Sequence, residues 1–559
     1  MARTGRSSGR PRARLWDATE SHKQTAPTSS TRQAVDALLA NGLPYSKKLS
    51  AHTSCVNALA ISRDGRWLAS AGDDPYVHIW DLNQDVVSEP TWRFRGPRSN
   101  VFTLAFSASG QYLYSGDTRA DILKFDITHL NDPISRRGTA SNSPSSRDHQ
   151  HDDSIRAIST HPTQDHVFLS ASEDGRVILH DTRAESRLTR AQGTLQQIAP
   201  FSCVQYHPVM HQLFATSDTQ GSVCLRDVRM AFGPASQRQH KGVVHKYVTA
   251  IAKQGQACMA RPETSSLTFD RDGRRLALTM LHHYPTLYAL NDPFPIAMFS
   301  GRHLPDGTPV PPGERTWSNS CTMKHGSFGG LGSDQDMYYA HGSDDFRTYL
   351  WKIPSESALL EQRAVVSPFE WDMCPRPGEI GIRLPLVAIL LVALTHVSSL
   401  FLTPGSQVLA ILPLPLADDQ LIGIYPGHDS IVNTALIHPH RPYLFTAGIE
   451  RFVRLHSPTS ITPSTEALPL TPQTVRAVPP TDPNSRQLLL RAMGLIDDDE
   501  VDEPDDDSQA IALFDQIIRT EGNGDVFDIR PCGPGYEASD SDDSDSEMET
   551  SSSGDAMVE

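Results

Sequence analysis

The sequence predicts an all-β protein that is built from seven copies of a strand repeat and has disordered segments at both ends. Three observations lead to this prediction. A motif of short strands recurs between residues 43 and 457. Asp-Gly, Asp-Asp and His-Pro pairs stand between those strands, where turns are needed. The chain ends are instead poor in large apolar residues and rich in Ser, Pro and charged residues.

The clearest copy of the repeat covers residues 51–81. It contains His52, an alternating strand, an Asp-Gly turn at 64–65, a second strand, an Asp-Asp turn at 73–74 and a third strand that ends at Trp80. Each strand has the period-two apolar pattern of a sheet that is covered on its faces. Weaker copies occupy residues 101–126, 152–181, 201–227 and 265–290, the residues that end at Trp351, and residues 427–456.

This repeat resembles the WD40 repeat, and the resemblance implies a seven-bladed WD40 β-propeller over residues 43–457. One four-stranded blade cannot bury both of its faces, so blades stack radially until the ring closes. In WD40 blades a His, a Ser or Thr, an Asp and a Trp form a buried hydrogen-bonded chain. The matching residues, which we interpret as structural rather than catalytic, are His52, Ser70, Asp74 and Trp80 in the first blade, His151, Ser170 and Asp174 in the third, and His428 and Thr446 in the seventh.

No motif in the sequence indicates an enzyme. HExxH, Walker GK[ST], GxSxG and CxxC motifs are all absent from the sequence, so we expect no catalytic residue and no cofactor. The seven scattered cysteines favour a reducing compartment without disulfides or a zinc site. His149, Asp152 and Asp153 offer metal ligands together with His151, but the repeat already uses His151, so we expect no metal. With no signal peptide at the start of the sequence, we expect a nuclear and/or cytoplasmic protein.

The net charge of −16 is concentrated near the end of the chain. Residues 497–559 contain 22 acidic residues and two arginines, which leaves a charge of about +4 on all preceding residues. A nearly neutral body gives no electrostatic reason to expect direct binding of nucleic acid.

Several segments lie outside the repeats. We predict a disordered basic N-terminus over 1–29, a short docking helix over 30–42, and a mostly disordered acidic tail over 458–559 with helices at 485–496 and 508–520. Residues 354–419 are an atypical insertion that we place between blades six and seven. Its apolar part, 382–402, is long enough to span a membrane. We favour a loop or a wrongly translated stretch, because a span there would keep the ring from closing.

The third and fourth copies of the repeat end in the tetrapeptides His180-Asp181-Thr182-Arg183 and Arg226-Asp227-Val228-Arg229. Both resemble the Asp-x-Arg end of the WDxR element in substrate receptors of cullin-4 RING ubiquitin ligases, with the Trp replaced. The blade sequences at 172–183 and 342–353 resemble the fifth-numbered branch of these receptors. The resemblance implies that Asp181, Arg183, Asp227 and Arg229 lie on one rim and contact the adaptor that links a receptor to cullin-4. It also implies that Val35, Leu38 and Leu39 of the N-terminal helix insert into that adaptor.

We therefore expect a protein-binding scaffold, a receptor that recruits an unidentified protein substrate for ubiquitination without catalysing it. The first alternative is a WD40 scaffold in chromatin or ribosome assembly, whose acidic tail binds basic partners. The second is a membrane-associated trafficking protein, which would require residues 382–402 to contact lipid. An enzyme is the least favoured class, since the sequence offers no site.

Overall fold

Each copy of the repeat folds into an antiparallel sheet of four strands, which we call a blade. The computed structural model describes residues 29–39, 41–131, 142–183, 191–253, 259–301, 303–304, 308–311, 313–331, 335–366, 380–383, 410–412, 414–415, 420–461, 467–479, 507–522, 524 and 526–529. Seven blades follow one another along these residues, which confirms the predicted seven-bladed propeller.

Within each blade the four strands lie side by side, from the innermost to the outermost. Blades one to four consist of β2 (Val56–Ile61), β3 (Trp67–Gly72), β4 (Tyr76–Asp81) and β5 (Trp92–Arg95); β6 (Val101–Phe106), β7 (Tyr112–Asp117), β8 (Ile122–Asp126) and β9 (Ser146–Asp148); β10 (Ile155–Thr160), β11 (Val167–Ser172), β12 (Arg176–Asp181) and β13 (Thr194–Gln196); and β14 (Phe201–Tyr206), β15 (Leu213–Asp218), β16 (Val223–Asp227) and β17 (Val243–Tyr247). Blades five to seven consist of β20 (Thr264–Phe269), β21 (Arg275–Met280), β22 (Thr286–Ala289) and β23 (Pro295–Met298); β24 (Ser327–Gly329), β25 (Tyr338–Gly342), β26 (Thr348–Lys352) and β31 (Leu421–Tyr425); and β32 (Val432–Ile437), β33 (Leu444–Gly448), β34 (Phe452–Ser457) and β1 (Tyr45–Ser50).

The ring is closed by strands from both ends of the propeller. The first strand of every blade contacts the first strand of the next, and β32 contacts β2 to complete the circle. The outermost strand of blade seven is β1, which pairs antiparallel with β34 so that Tyr45 lies opposite Ser457. Apolar side chains such as Trp80, Leu68 and Phe445 fill the space between blades one and seven. Closure of this kind leaves no unpaired edge between the first and last blades.

The blades give the ring two distinct faces. In blades one to six a hydrogen bond ties the end of the third strand to the turn between the first and second strands, as from Thr182 N–H to His166 O (2.9 Å) and from Val228 N–H to Gln212 O (2.8 Å). We call the side with these turns the turn face. The starts of the first strands and the turns between second and third strands lie on the other side, which we call the opposite face.

The insertion at 354–419 lies within blade six rather than between blades six and seven. We predicted the latter, but β31 follows the insertion and pairs with β26, so it is the fourth strand of blade six. The insertion and the connection before blade five contribute strands to a further sheet: β18 (Ile251–Lys253), β19 (Met259–Ala260), β27 (Ala364–Val366), β28 (Ile380–Arg383) and β29 (Ala410–Leu412). A last short strand, β30 (Leu414–Pro415), pairs parallel with β23. Most of 382–402 lies outside the described residues, and within the described ones no helix has the length and apolar character to cross a membrane.

Five α-helices accompany the propeller in the described part of the chain. They are α1 (Ser29–Leu38), α2 (Val228–Ala231), α3 (Glu356–Gln362), α4 (Ser508–Glu521) and α5 (Val526–Ile529), with 3-10 turns at Thr128–Asn131, Ala235–Gln237 and His240–Gly242. The structure thus has helices at the first and last of the three predicted positions. The predicted helix at 485–496 and the predicted disorder at 1–28 and 530–559 lie outside the described residues.

Candidate protein-binding face

Two exposed arginines stand at the same position in adjacent blades. Asp181 and Asp227 end the third strands of blades three and four, and Arg183 and Arg229 follow two residues later. Each aspartate accepts a hydrogen bond from the backbone N–H of its arginine, at 3.1 Å in blade three and 2.8 Å in blade four. Since these strand ends are bonded to the first–second turns, both arginines lie on the turn face.

Each guanidinium is held by its own aspartate through at least two side-chain hydrogen bonds. Arg229 donates from Nε to Oδ1 (3.0 Å) and from Nη2 to Oδ2 (2.6 Å) of Asp227. Arg183 donates to Asp181 in the same way, with Nε 2.8 Å from Oδ1. The hydrogen bond from each arginine holds the pKa of its aspartate below the usual range. The arginine side chains stay 58% and 75% exposed in blades three and four. An exposed ion pair adds little to stability, so its main effect here is to orient the guanidinium.

The residues that replace the expected Trp are buried and keep a structural role. His180 stacks on Phe168 with the ring centroids 4.4 Å apart, and its Nε2 lies 2.7 Å from Ser170 Oγ. Arg226 is buried and donates from Nε to Thr216 Oγ1 at 2.9 Å. Each of these side chains therefore bonds the Ser or Thr in the second strand of its own blade. In blade one the residue at that position, Ser70, bonds Trp80. The replacement of Trp leaves the positions of Arg183 and Arg229 intact.

The N-terminal helix packs against the propeller itself. Val35 and Leu39 are buried in a cluster with Tyr338 and Tyr425 of blade six. The same cluster includes Leu331, in the first–second turn of that blade, so α1 lies on the turn face. Leu38 remains 37% exposed.

This packing bears on the adaptor contact that the resemblance implies. We predicted that Val35, Leu38 and Leu39 insert into the adaptor. In the structure Val35 and Leu39 are covered by blades six and seven, because a helix of this length is stabilised by docking its apolar side. Only Leu38 of the three is available to another protein.

An exposed apolar residue that the sequence does not point to lies on the turn face of the same blade as Arg229. Val209 is 62% exposed in the first–second turn of blade four, next to the residues that bond the end of the third strand. Its turn is fixed by His207, whose Nδ1 accepts from the backbone N–H groups of Val209 (3.2 Å) and Met210 (2.8 Å). The His-Pro pair at 207–208 marks this turn in the sequence, but pattern alone does not show which of its side chains is exposed.

The predicted blade residues form hydrogen-bonded networks in blades one and three. In blade one His52 lies 2.9 Å from Asp74 and 2.8 Å from Ser70, and Trp80 Nε1 donates to Ser70 at 3.0 Å. Blade three repeats the arrangement, with His151 at 2.9 Å from Asp174 and 2.7 Å from Ser170. Burial favours the neutral form of Asp74, but the hydrogen bond with His52 and the proximity of His78, whose Nε2 lies 3.9 Å away, outweigh it and hold the pKa of that carboxyl well below its usual range.

Blade seven contains a variant of the same network. His428 lies 2.8 Å from Thr446 Oγ1 and bonds Glu450, which takes the place of the aspartate. Thr446 in turn lies 3.1 Å from His456 Nε2, at the position that Trp80 occupies in blade one and His180 in blade three. All four side chains are buried, so they support the blade and are not exposed to a substrate.

The possible metal ligands are accounted for by these contacts. The sequence candidates do not form a cluster, since His149 is directed to Asp121 (3.2 Å) and Asp152 pairs with Arg176. Among the described residues, His52, Asp74 and His78 place ligand atoms within 4.8 Å of one another. Both ring nitrogens of His52 already form hydrogen bonds, to Asp74 and to Ser70. The blade-one network therefore accounts for the close approach of these three side chains.

Comparison with known proteins identifies the repeat. The family model "WD domain, G-beta repeat", or WD40, matches residues 44–81, 88–121, 143–181 and 419–457. Together with the closed ring of blades, this shows that the chain folds into a β-propeller that contains WD40 repeats.

The chain is also similar to curated proteins from mouse, human and yeast. The chain is 26% identical to "DDB1- and CUL4-associated factor 5" of Mus musculus over 484 residues, which is 86% of this chain and 41% of the relative. The Homo sapiens protein of the same name gives the same identity and coverage. The chain thus spans about two fifths of the length of these relatives. Over a shorter region, 36% of this chain and 45% of the relative, it is 26% identical to "Histone acetyltransferase type B subunit 2" of Candida glabrata.

Proposed function

We propose that this chain is a substrate receptor of a cullin-4 RING ubiquitin ligase and that its turn face binds the adaptor DDB1. One observation carries the proposal: Arg183 and Arg229 occupy equivalent positions in adjacent blades, and each is exposed while an aspartate fixes its guanidinium. The names of the relatives from mouse and human support the choice of partner.

The chemistry of the two arginines suits a protein interface. A guanidinium presents five N–H donors in a rigid plane, and Arg is frequent among the residues that dominate binding energy. Because Asp181 and Asp227 already orient the side chains, binding costs less conformational entropy than it would for free arginines. Val209 and Leu38 add exposed apolar surface to the same face. We therefore assign the adaptor contact to Arg183, Arg229, Val209 and Leu38.

In this proposal the protein performs no chemistry. The adaptor and cullin-4 would supply the rest of the ligase, and the chain would recruit a protein substrate in the nucleus or the cytoplasm. Substrate recruitment would be left to surfaces away from the adaptor contact.

Binding of purified DDB1 to the full-length protein tests the proposal. Arg183→Ala and Arg229→Ala are made singly and together, and affinity is measured by biolayer interferometry. The chain offers a matched control: Asp117-Thr-Arg119 has the same sequence as Asp181-Thr-Arg183, and Arg119 is likewise exposed, but it lies in a second–third turn on the opposite face. Removal of a dominant interface residue costs about 2 kcal/mol or more, so each single change should weaken binding roughly 30-fold.

The outcomes distinguish the proposal clearly. We expect the double variant to lose DDB1 binding while Arg119→Ala binds like the wild type. Equal binding by the wild type and the double variant, or no binding by the wild type, would contradict the adaptor role of the turn face.

A second function has separate support from the histone acetyltransferase relative. In that case the chain is a WD40 scaffold in chromatin or ribosome assembly, and its acidic tail binds basic proteins. Affinity purification separates the two: histones or ribosomal proteins without ligase subunits would favour the scaffold.

A further inference from the structure

The C-terminal helix α4 is seated on the opposite face of the propeller. Its side chains Ala510, Phe514 and Ile518 are spaced four residues apart, so they lie along one side of the helix. They pack in a cluster with residues from the loops of blades one, six and seven and from the segment 467–479, namely Cys55, Cys321, Phe346, Ile431, Ile449, Val475 and Val478. We call these seven residues the helix groove.

The groove lies on the opposite face because of where its residues fall in the blades. Cys55 and Ile431 directly precede the first strands β2 and β32. Phe346 and Ile449 lie in second–third turns. The groove and the arginine pairs of the turn face are therefore on different sides of the ring.

Ion pairs fix the helix in the groove. Asp515, which is buried, accepts from both Nη1 (2.8 Å) and Nη2 (2.6 Å) of Arg476. The remaining guanidinium nitrogen of Arg476, Nε, donates to Asp429 O at 2.7 Å, so the arginine is anchored to the propeller. At the start of the helix Arg451 Nε lies 3.1 Å from Asp507. Arg476 and Arg451, which lie beside the groove, thus pair with Asp515 of the helix and with Asp507 at its start.

The segment continues across the same face. Helix α5 contacts β19, which lies on the connection between blades four and five. That connection begins and ends at the opposite face, since β17 ends there and β20 starts there. A helix of the length of α4 extends about 21 Å, and α5 follows it to contact the connection between blades four and five.

We propose that the helix groove is a binding site for an amphipathic helix of a partner protein, and that α4 is an internal occupant that the partner must displace. The partner helix would carry apolar residues four apart and a carboxylate next to the central one, as Phe514 and Asp515 do here. Two features support the exchange of α4 for a partner helix. Phe514 is only partly buried in the groove, and the contact uses the spaced anchors of helix-in-groove recognition. The proposal does not depend on adaptor binding.

A competition experiment with the full-length protein tests this. The probe is a fluorescein-labelled synthetic peptide with the sequence of residues 507–522, and its binding is measured by fluorescence anisotropy. In the variant Phe514→Ala/Ile518→Ala the internal helix has lost two anchors while the groove is unchanged. We expect the probe to bind this variant at least about tenfold more tightly than the wild type, because burial of such side chains contributes substantially to the closed state. Thr520→Ala, an exposed change on the same helix, should leave the affinity as in the wild type.

A charge exchange tests the groove itself. Adding Arg476→Glu to the opened variant should abolish binding of the probe, and a probe carrying Asp515→Arg should restore it. Asp515→Asn keeps the apolar side of α4 but weakens its ion pair with Arg476. This milder change should also make the probe bind more tightly than it binds the wild type. Equal affinity of the probe for wild type and both opened variants would overturn the proposal. It would also be overturned if Arg476→Glu left the affinity of the probe for the opened variant unchanged. DDB1 binding is measured on the same variants, so a failure of the adaptor proposal is seen separately.

Discussion

The histidine of a His-Pro turn gives this propeller a predictable sensitivity to acid. His438 lies in the first–second turn of blade seven and is buried. Its Nδ1 accepts from the backbone N–H groups of His440 and Arg441, both at 3.0 Å, and its Nε2 donates to Gly65 O in blade one at 2.8 Å. A proton on Nδ1 would break both accepted bonds. Burial is the main cause that lowers the pKa of His438 to about 4.

The magnitude follows from linkage between protonation and folding. An unfolded histidine has a pKa of about 6.5, so between pH 6.5 and 4 the unfolded chain binds a proton that the folded chain does not. Stability therefore rises with pH across this window and is lost as the pH falls. With about 1.4 kcal/mol for each pKa unit, His438 alone accounts for a loss of about 2.5 kcal/mol between pH 7.5 and 4.5.

Urea unfolding at several pH values, followed by tryptophan fluorescence, measures this loss. In His438→Asn the amide oxygen still accepts from the two backbone N–H groups but takes up no proton. The variant should be about 1 kcal/mol less stable at pH 7.5, because Gly65 O loses its donor, yet less sensitive to acid than the wild type. The exposed His240 provides the control, since His240→Asn should keep the full pH dependence. The reasoning is refuted if His438→Asn and the wild type lose equal stability between pH 7.5 and 4.5.

Two further predictions concern the blades. Asp74→Ala leaves the buried ring of His52 and the partly buried backbone N–H of Thr53 without their acceptor. The free energy of unfolding should therefore fall by about 3 kcal/mol in urea titration, whereas Asp85→Ala at an exposed site should change it little. Gly273 and Gly110 both have φ near +70°, but a Cβ at Gly273 would lie 2.1 Å from His207 Cε1, while Gly110 has nothing within 4 Å. Gly273→Ala should therefore lower the thermal midpoint well below that of Gly110→Ala, and equal midpoints would contradict the close packing at His207.

The parts of the fold that could be predicted are those fixed by local sequence. The first three strands of each blade are joined by short turns, so strand alternation and turn residues identify them. His52 and Asp74 are only 22 residues apart, and their contact follows once the blade is recognised. The Asp-x-Arg pairs at 181–183 and 227–229 are equally local, since each arginine bonds the aspartate two residues before it.

The parts that could not be predicted depend on contacts between distant residues. The fourth strand of blade six, β31, follows the third only after the insertion, so the insertion was assigned to the wrong place. The amphipathic pattern of α1 shows that Val35, Leu38 and Leu39 need a partner, but it does not say whether that partner is the propeller or another protein. The same holds for α4, because Ile518 shares a cluster with Cys55, a residue more than 450 positions earlier in the chain.

The two faces of the ring differ in how firmly they are fixed, and this difference bears on their proposed roles. On the turn face, hydrogen bonds join blades that are not neighbours: Arg63 donates to Pro162 O at 3.3 Å, from blade one to blade three, and Arg271 donates to Pro439 O at 2.7 Å, from blade five to blade seven. These bonds lie entirely between propeller turns, so they restrain the surface that presents Arg183 and Arg229, and a restrained surface loses less entropy on binding. The opposite face is instead covered by α4, a separate segment that approaches from outside the repeats. A rigid turn face suits one constant partner, whereas a face closed by an exchangeable helix suits partners that compete for it.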